Sequence, residues 1–209
     1  MAFTPAIIQY LDIKKQHEDC ILFFRMGDFY ETFFEDAKIC SKVLDIVLTS
    51  KNKNSENSVP MAGIPYHSAD KYITKLIAHG YKIAIAEQTS EPIPGKIVER
   101  EVVSIITPGT YIQESKKEYT YVMAITFLPH TNGNSYHLAR GDFSIGEYRT
   151  KSFPDIMEMQ KFIITTKPVE IVFDVDFPEK ESISIPIQKS MKSLISVWDI
   201  PSDPEKFLT

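Results

Sequence analysis

Apolar residues in the first half of the chain follow a helical period in some segments and a strand-like pattern in others. The helical spacing predicts helices over residues 4–17, 36–44 and 69–79. Apolar runs and alternations predict strands over residues 20–24, 29–34, 46–49, 81–88 and 102–107. The segment from Val59 to Ser68 holds two prolines and a glycine among apolar residues. Because proline cannot donate to a strand ladder, this composition predicts an irregular, rigid segment rather than a sheet interior.

A polar stretch at residues 113–119 separates this pattern from a different one, and we interpret it as a linker between domains at 1–112 and 120–209. In the second domain, strands are predicted over residues 121–127, 135–143, 146–150 and 170–174. The Asn132–Asn134 turn predicts a hairpin between the first two strands. A helix is predicted from Pro154, and Pro168 stops it. This helical crossover predicts that the strand at 170–174 is parallel to the first. From Phe177 the pattern frays, so no further element is predicted. Both halves indicate a mixed α/β fold.

The turn after the first predicted strand carries candidate chemistry. Gly27-Asp28 is a tight-turn dipeptide, and Phe29 and Glu31 follow it two residues apart. Residues two apart in a strand share a face, so the ring and the carboxylate project together, while Tyr30 points to the core. A flat ring beside a hydrogen-bonding group suits recognition of a nucleobase. The alternative is a core aromatic followed by a solvated acid, since aromatic side chains most often pack.

Composition and charge restrict the class of protein. The chain is 43% hydrophobic and 24% charged, as in ordinary globular proteins, and has no apolar run of the roughly 18 residues that a membrane helix needs. No secretory signal pattern begins the sequence. The two cysteines, Cys20 and Cys40, form neither a disulfide framework nor a zinc site, which favours a reducing, cytoplasmic location. The net charge of −5 excludes a broadly basic surface, so any contact with DNA must depend on a few local cations.

Five motifs occur in one order along the chain: Phe24–Glu31, Leu44–Thr49, Pro60–His67, Ala86–Gln88 and Val103–Thr110. In this order and spacing, the chain resembles the start of the MutS family of DNA mismatch-recognition proteins. From Tyr121 onward it is more weakly similar to the family's connector domain. The resemblance implies a mixed-sheet mismatch-recognition domain followed by a connector with RNase H-like topology, which we expect to be incomplete here.

The resemblance also implies residue roles. Phe29 would enter the minor groove and stack on a mispaired or unpaired base, and Glu31 would hydrogen-bond that base. We hypothesise that Glu31 is protonated when bound, because a carboxylate near phosphates is otherwise repelled. The DNA partner would be a duplex with a mismatch or a small insertion loop. Further residues that could contact DNA are Met26, Asp28, Lys51, Met61, Pro65 and His67.

The resemblance places enzyme activity outside this chain. Family members bind ATP and Mg²⁺ in a C-terminal ATPase domain, and no Gly-x-x-x-x-Gly-Lys-Ser/Thr motif occurs here. We therefore expect no catalytic residues, metal or cofactor in this chain. For the full-length protein the resemblance implies a cytoplasmic, nucleoid-associated homodimer that acts with a downstream MutL-type protein.

The second domain suggests two alternative functions. One is a protein-interaction module, in which the connector relays the DNA-bound state to partners. The other is a nuclease, for which Asp142 and Asp174 are candidate metal ligands at strand ends. The nuclease is disfavoured because no further acids fall at predicted strand ends.

Overall fold

The structure, a computed structural model, describes residues 3–51, 58–91, 95, 97–111, 120–130, 133–178, 180–191 and 193–198. The chain divides into two compact units, Met1–Thr107 and Pro108–Thr209. The predicted linker at 113–119 lies outside the described residues, and the predicted domain bounds stay a prediction.

The described residues of the first unit form a six-stranded mixed sheet with helices on both faces. The elements are α1 (Pro5–Gln16), β1 (Cys20–Met26), β2 (Phe29–Phe33), α2 (Phe34–Leu44), β3 (Thr49–Lys51), β4 (Val59–Pro65), a short 3₁₀-helix (Tyr66–Ser68), α3 (Ala69–Ala78), β5 (Lys82–Gln88) and β6 (Arg100–Ile106). The strand order is β3-β4-β2-β1-β5-β6, and β1 and β5 are parallel while the other neighbours are antiparallel.

Strand alternation divides the core of the first unit between the two faces of the sheet. On one face, Ile7 and Tyr10 of α1 pack with Leu22 and Phe24 of β1 and with Phe33. On the other face, α2 packs on β4 and α3 lies against α2 and β5. Both helical layers leave the β1–β2 turn uncovered, since Gly27 and its neighbour are exposed.

A buried carboxylate joins three elements of this unit. Asp36, in the first turn of α2, is 4% exposed. It accepts hydrogen bonds from the Tyr10 hydroxyl at 2.7 Å, from the Leu22 backbone N–H at 2.9 Å and from Lys14 Nζ at 2.9 Å. Burial, reinforced by the charge of Asp36, raises the pKa of Tyr10 far above its ordinary value. The Tyr10 hydroxyl therefore stays protonated and remains a donor.

Two sequence predictions for this unit are wrong. The third strand begins at Thr49 rather than covering residues 46–49, and Val47 is 81% exposed. Asp45 has a left-handed backbone (φ 56°) that ends α2, and pairing with β4 starts only at Thr49. The segment Val59–Pro65 is a strand paired on both sides. Its prolines are tolerated because Pro60 lies beyond the last pair with β2 and Pro65 ends the strand.

The second unit is a five-stranded mixed sheet, and its described helices are α4 and α5. The elements are β7 (Val122–His130), β8 (Gly133–Asp142), β9 (Glu147–Phe153), α4 (Ile156–Thr166), β10 (Glu170–Asp174), α5 (Lys180–Ser190) and β11 (Leu194–Trp198). The sheet order is β11-β10-β7-β8-β9. Strands β7, β8 and β9 form an antiparallel meander, and β10 is parallel to β7, as the crossover predicted. This order is the RNase H-like topology implied by the resemblance. Asn132 of the predicted turn lies outside the described residues.

Helix α5 and strand β11 were not predicted from sequence. Residues 182–187 alternate serine and isoleucine and then include Pro186, a pattern that does not indicate a helix. Of the three isoleucines in this segment, Ile183 and Ile187, four residues apart, are buried, while Ile185 is 47% exposed. The helix is therefore stabilised by two residues packed into the core rather than by a long apolar stripe. None of the described helices is long and apolar enough to cross a membrane.

Candidate nucleic-acid interface

The β1–β2 hairpin places an aromatic ring at its exposed tip. Met26 pairs with Phe29, so that Gly27 and Asp28 form a two-residue turn. Gly27 has φ +59°, a conformation that glycine adopts without strain. Phe29 is 47% exposed, so the alternative of a core aromatic does not describe it. Tyr30 is 8% exposed and faces the core, as predicted.

Cross-strand pairing puts Phe29 and Glu31 on one face of the sheet. Phe29 lies between Met26 of β1 and Pro65 of β4, and Glu31 lies between Phe24 and Gly63. Directly opposed residues share a face, so these two rungs form one continuous surface. Gly63 is exposed and has no side chain, which leaves the sheet open beside the Glu31 carboxylate.

Glu31 has a cationic partner that sequence reasoning did not find. Lys51, the last residue of β3, donates to Glu31 Oε2 from 2.9 Å. The side chains are 27% and 19% exposed, so this ion pair is only partly open to solvent. Both residues were predicted to contact DNA, but their pairing depends on the order β3-β4-β2, which no local pattern shows.

A second cation lies on the same face and is fixed in place. Arg100 is 7% exposed, and its guanidinium lies 4.7 Å from the centroid of the Phe24 ring. It donates to Gln9 Oε1 at 3.0 Å, to the Val98 carbonyl at 2.7 Å and to the carbonyl of Arg25. Burial lowers the pKa of Arg100, and the charge of Glu31 opposes that shift. Arg100 therefore ties α1 and β6 to the base of the hairpin.

The opposite face of the hairpin is held by a separate cluster. The Arg25 guanidinium lies 3.6 Å from the centroid of the Tyr66 ring, and its Nη1 is 3.5 Å from Glu87 Oε2. The Tyr30 hydroxyl donates to the same Glu87 carboxylate. Burial and the neighbouring Glu87 raise the pKa of Tyr30 to about 12. These contacts explain why the motifs around Gly27, Tyr66 and Glu87 occur together, since each supplies one side of the cluster.

The remaining predicted residues lie around this hairpin at different depths. Asp28 is in the turn, and its carbonyl accepts from the Tyr66 N–H at 3.0 Å. His67 is exposed next to Tyr66, with the two ring centroids 5.8 Å apart. Met26 and Met61 are partly buried against the α1 side of the core. Met26 flanks Phe29, whereas Met61 pairs with Phe33, one rung beyond Glu31 on that face.

The two acids considered for a nuclease do not converge. Asp142 follows the pair of Gly141 with Val122 at the start of β7, whereas the Asp174 carboxylate accepts a hydrogen bond from the Thr126 hydroxyl farther along β7. Val122 and Thr126 are four residues apart, so these positions lie roughly 13 Å apart along β7. Asp142 also accepts from Ser144 and from the Thr120 N–H, and these bonds lower its pKa against the effect of burial. Among the described residues, no group of three potential ligands could hold a metal ion.

Comparison with known proteins identifies the family. Residues 4–115 match the model of MutS domain I, which is more than half of the chain. The chain belongs to the MutS family. The matched region contains the hairpin, Glu31 and the residues that support them.

Curated relatives agree with this assignment over both units. The chain is 44% identical over 200 residues to a DNA mismatch repair protein MutS of Thermodesulfovibrio yellowstonii, covering 93% of this chain and 22% of the relative. It is 46% identical over 173 residues to that of Staphylococcus saprophyticus, with 81% and 19% covered. It is also 46% identical over 179 residues to that of Streptococcus sanguinis, with 85% and 21% covered. The chain thus spans about a fifth of the length of these relatives.

Proposed function

We propose that this chain reads mismatched or unpaired bases in double-stranded DNA as part of DNA mismatch repair. One observation carries the proposal: a half-exposed phenylalanine and a carboxylate share a face at the tip of a well-supported hairpin. The names of the curated relatives, all MutS mismatch repair proteins, support the same function.

In this mechanism Phe29 enters the minor groove and stacks on the abnormal base. Opening a base step costs a few kcal/mol, and the cost is least where pairing is already lost. Mismatched DNA also kinks more cheaply than paired DNA, so deformability supplies much of the discrimination. A reader that depends on stacking accepts many different mispairs, because every base has a flat face.

Glu31 supplies the hydrogen bond to the base in this proposal. Its carboxylate lies one rung from Phe29, on the same face and beside the open position at Gly63. We propose that it is protonated in the complex and donates to a base nitrogen, which removes its repulsion from phosphates. Replacement of Glu31 by Gln is then expected to keep affinity for mismatched DNA and to strengthen binding to paired DNA. Equal weakening on both duplexes would contradict this role.

The properties of the whole protein are further proposals. With a net charge of −5, this chain has no broadly basic surface with which to bind DNA, so we propose that other parts of the protein enclose the duplex. We propose that ATP and Mg²⁺ bind outside this chain, that the protein works as a cytoplasmic homodimer, and that a MutL-type protein acts downstream. Within this chain we propose binding rather than catalysis.

The second unit has a feature that favours a protein-interaction role alongside DNA reading. The turn between β8 and β9 carries Phe143 and Ile145, which are 60% and 58% exposed, and Tyr148 near the start of β9 is 69% exposed. Neighbouring apolar side chains of this size on a surface are typical of contact with another protein surface. This role is compatible with the first and concerns a different unit.

The test uses the complete protein that carries this chain and two duplexes, one perfect and one with a single unpaired thymine. Binding is measured by fluorescence anisotropy for wild type, Phe29→Ala and the control Phe143→Ala, which removes an exposed ring elsewhere. Loss of one base–aromatic stack is worth about 1–3 kcal/mol, so Phe29→Ala should weaken binding to the unpaired-base duplex roughly 5- to 150-fold. The control should leave the preference unchanged. A folded Phe29→Ala protein with full preference would refute the proposed function.

A further inference from the structure

We propose that Lys51 is a specificity-determining residue that changes partner when DNA binds. Without DNA it neutralises Glu31; with an unpaired base present, Glu31 turns to the base and Lys51 moves to a backbone phosphate. This inference rests on the proposed function and assigns Lys51 a role in discrimination rather than simple attraction.

The geometry of the pair permits such an exchange. Lys51 Nζ lies 2.9 Å from Glu31 Oε2, and the two side chains are 27% and 19% exposed. An ion pair in contact with water contributes little net free energy, so other charges can compete for it. Lys51 ends the edge strand β3, and its charge is carried on a flexible four-carbon stem. Its ammonium can therefore leave Glu31 by side-chain rotation alone.

Arg100, the other cation that acts on Glu31, cannot exchange in this way. It is 7% exposed and its donors are used by Gln9, the Val98 carbonyl and the Arg25 carbonyl. Among the described residues, the site thus holds one fixed positive charge, Arg100, and one exchangeable positive charge, Lys51.

The exchange makes paired DNA an inferior ligand. While Lys51 is bound to Glu31, it contributes no full contact to a phosphate. On an unpaired base, Glu31 gains a base contact that replaces the lost ion pair. A perfect duplex has no unpaired base for Glu31 to contact, so release of Lys51 leaves the Glu31 carboxylate unpaired and repelled by the phosphates. The same pair therefore permits binding to abnormal DNA and penalises binding to normal DNA.

This mechanism predicts coupling between the two residues. Glu31→Gln frees Lys51 on either duplex, so the variant should bind perfect DNA more tightly through Lys51. One added phosphate contact steepens the salt dependence by about 0.9 in log K per log salt, which amounts to roughly threefold between 50 and 200 mM. In the Glu31→Gln/Lys51→Gln protein this gain should be absent.

The experiment measures affinity for both duplexes over 50–200 mM salt in the complete protein. The variants are Glu31→Gln, Lys51→Gln, the double variant and Lys51→Arg, which keeps the charge and should retain near wild-type preference. Glu35→Gln and Lys38→Gln are the controls, because they disrupt an exposed ion pair of similar length (2.6 Å) in α2. The expected result is a gain on perfect DNA in Glu31→Gln that depends on Lys51, with no such dependence in the control pair.

The proposal is overturned if Glu31→Gln improves binding to perfect DNA equally with lysine or glutamine at position 51. It is also overturned if Glu31→Gln and the Glu31→Gln/Lys51→Gln protein show the same salt dependence of binding to perfect DNA. The Phe29→Ala variant shows whether a negative result concerns only the Lys51 exchange or the proposed function as well. If Phe29→Ala abolishes the preference while the Glu31–Lys51 cycle shows no coupling, only the exchange is wrong; if Phe29→Ala retains the preference, both are wrong.

Discussion

Replacing Asp36 by Asn tests how much the buried carboxylate that joins α1, β1 and α2 contributes to the stability of the first unit. The carboxylate is buried and accepts from Tyr10, Leu22 and Lys14 at 2.7–2.9 Å. Asparagine keeps the volume but has one acceptor oxygen, and its NH₂ group meets a donor. Breaking a buried charge pair costs about 3–5 kcal/mol. The Lys14 side chain is 24% exposed, so water can solvate its ammonium group once the pair is broken and offset part of this cost. We therefore expect a loss of about 3 kcal/mol in the free energy of unfolding.

Urea unfolding of the chain followed by circular dichroism at 222 nm measures this loss. With an m-value of about 2 kcal/mol/M, the transition of the first unit should move down by roughly 1.5 M. Hydrogen exchange at the Leu22 amide, which donates to Asp36, should accelerate in parallel. The matched control is Glu35→Gln, an exposed acid in the same helical turn, with an expected effect of at most about 1 kcal/mol. A loss for Asp36→Asn within about 0.5 kcal/mol of the control would refute the reasoning.

Two further predictions concern packing and burial. In Gly109→Ala the new methyl would overlap Val122 and lie 2.7 Å from Glu170 Oε2, so the thermal midpoint of the second unit should fall by an amount equivalent to roughly 1–3 kcal/mol. Gly141→Ala, where the nearest atom is 3.8 Å away, is the control, and equal midpoints would contradict the packing account. Burial raises the pKa of Cys20 and of Cys40 to about 12, so the thiolate fraction at pH 8 is roughly three orders of magnitude below that of a free cysteine. Native labelling with a thiol reagent should therefore be slow, should accelerate as the pH rises, and should become fast in urea; rapid native labelling at pH 8 would contradict it.

The local geometry of the candidate site could be predicted from the sequence because it depends on neighbouring residues. The Gly27-Asp28 turn follows from backbone conformational freedom, and the shared face of Phe29 and Glu31 follows from the two-residue period of a strand. The position of Tyr30 in the core follows from the same period. The choice of Phe29 as a functional residue came from the family resemblance, since an aromatic ring after a turn is more often packed.

The tertiary partners could not be predicted because they depend on strand order and on distant segments. Lys51 reaches Glu31 only because β4 lies between β3 and β2. Arg100 reaches the hairpin base from a strand 75 residues along the chain. The strand at Val59–Pro65 could not be predicted from composition, because its prolines lie at positions where a missing N–H costs little and only the pairing with β2 and β3 reveals those positions.

The central claim is that the Phe29 ring stacks on the abnormal base, and photocrosslinking tests this contact directly. The complete protein is bound to a duplex whose single unpaired base is 5-iodouracil, irradiated, digested and analysed by mass spectrometry. We predict that the crosslinked peptide carries the modification at Phe29, and that crosslinking is lost when the iodouracil is paired with adenine in a perfect duplex. A crosslink at another residue, with Phe29 unmodified and the preference for the unpaired base intact, would contradict the account.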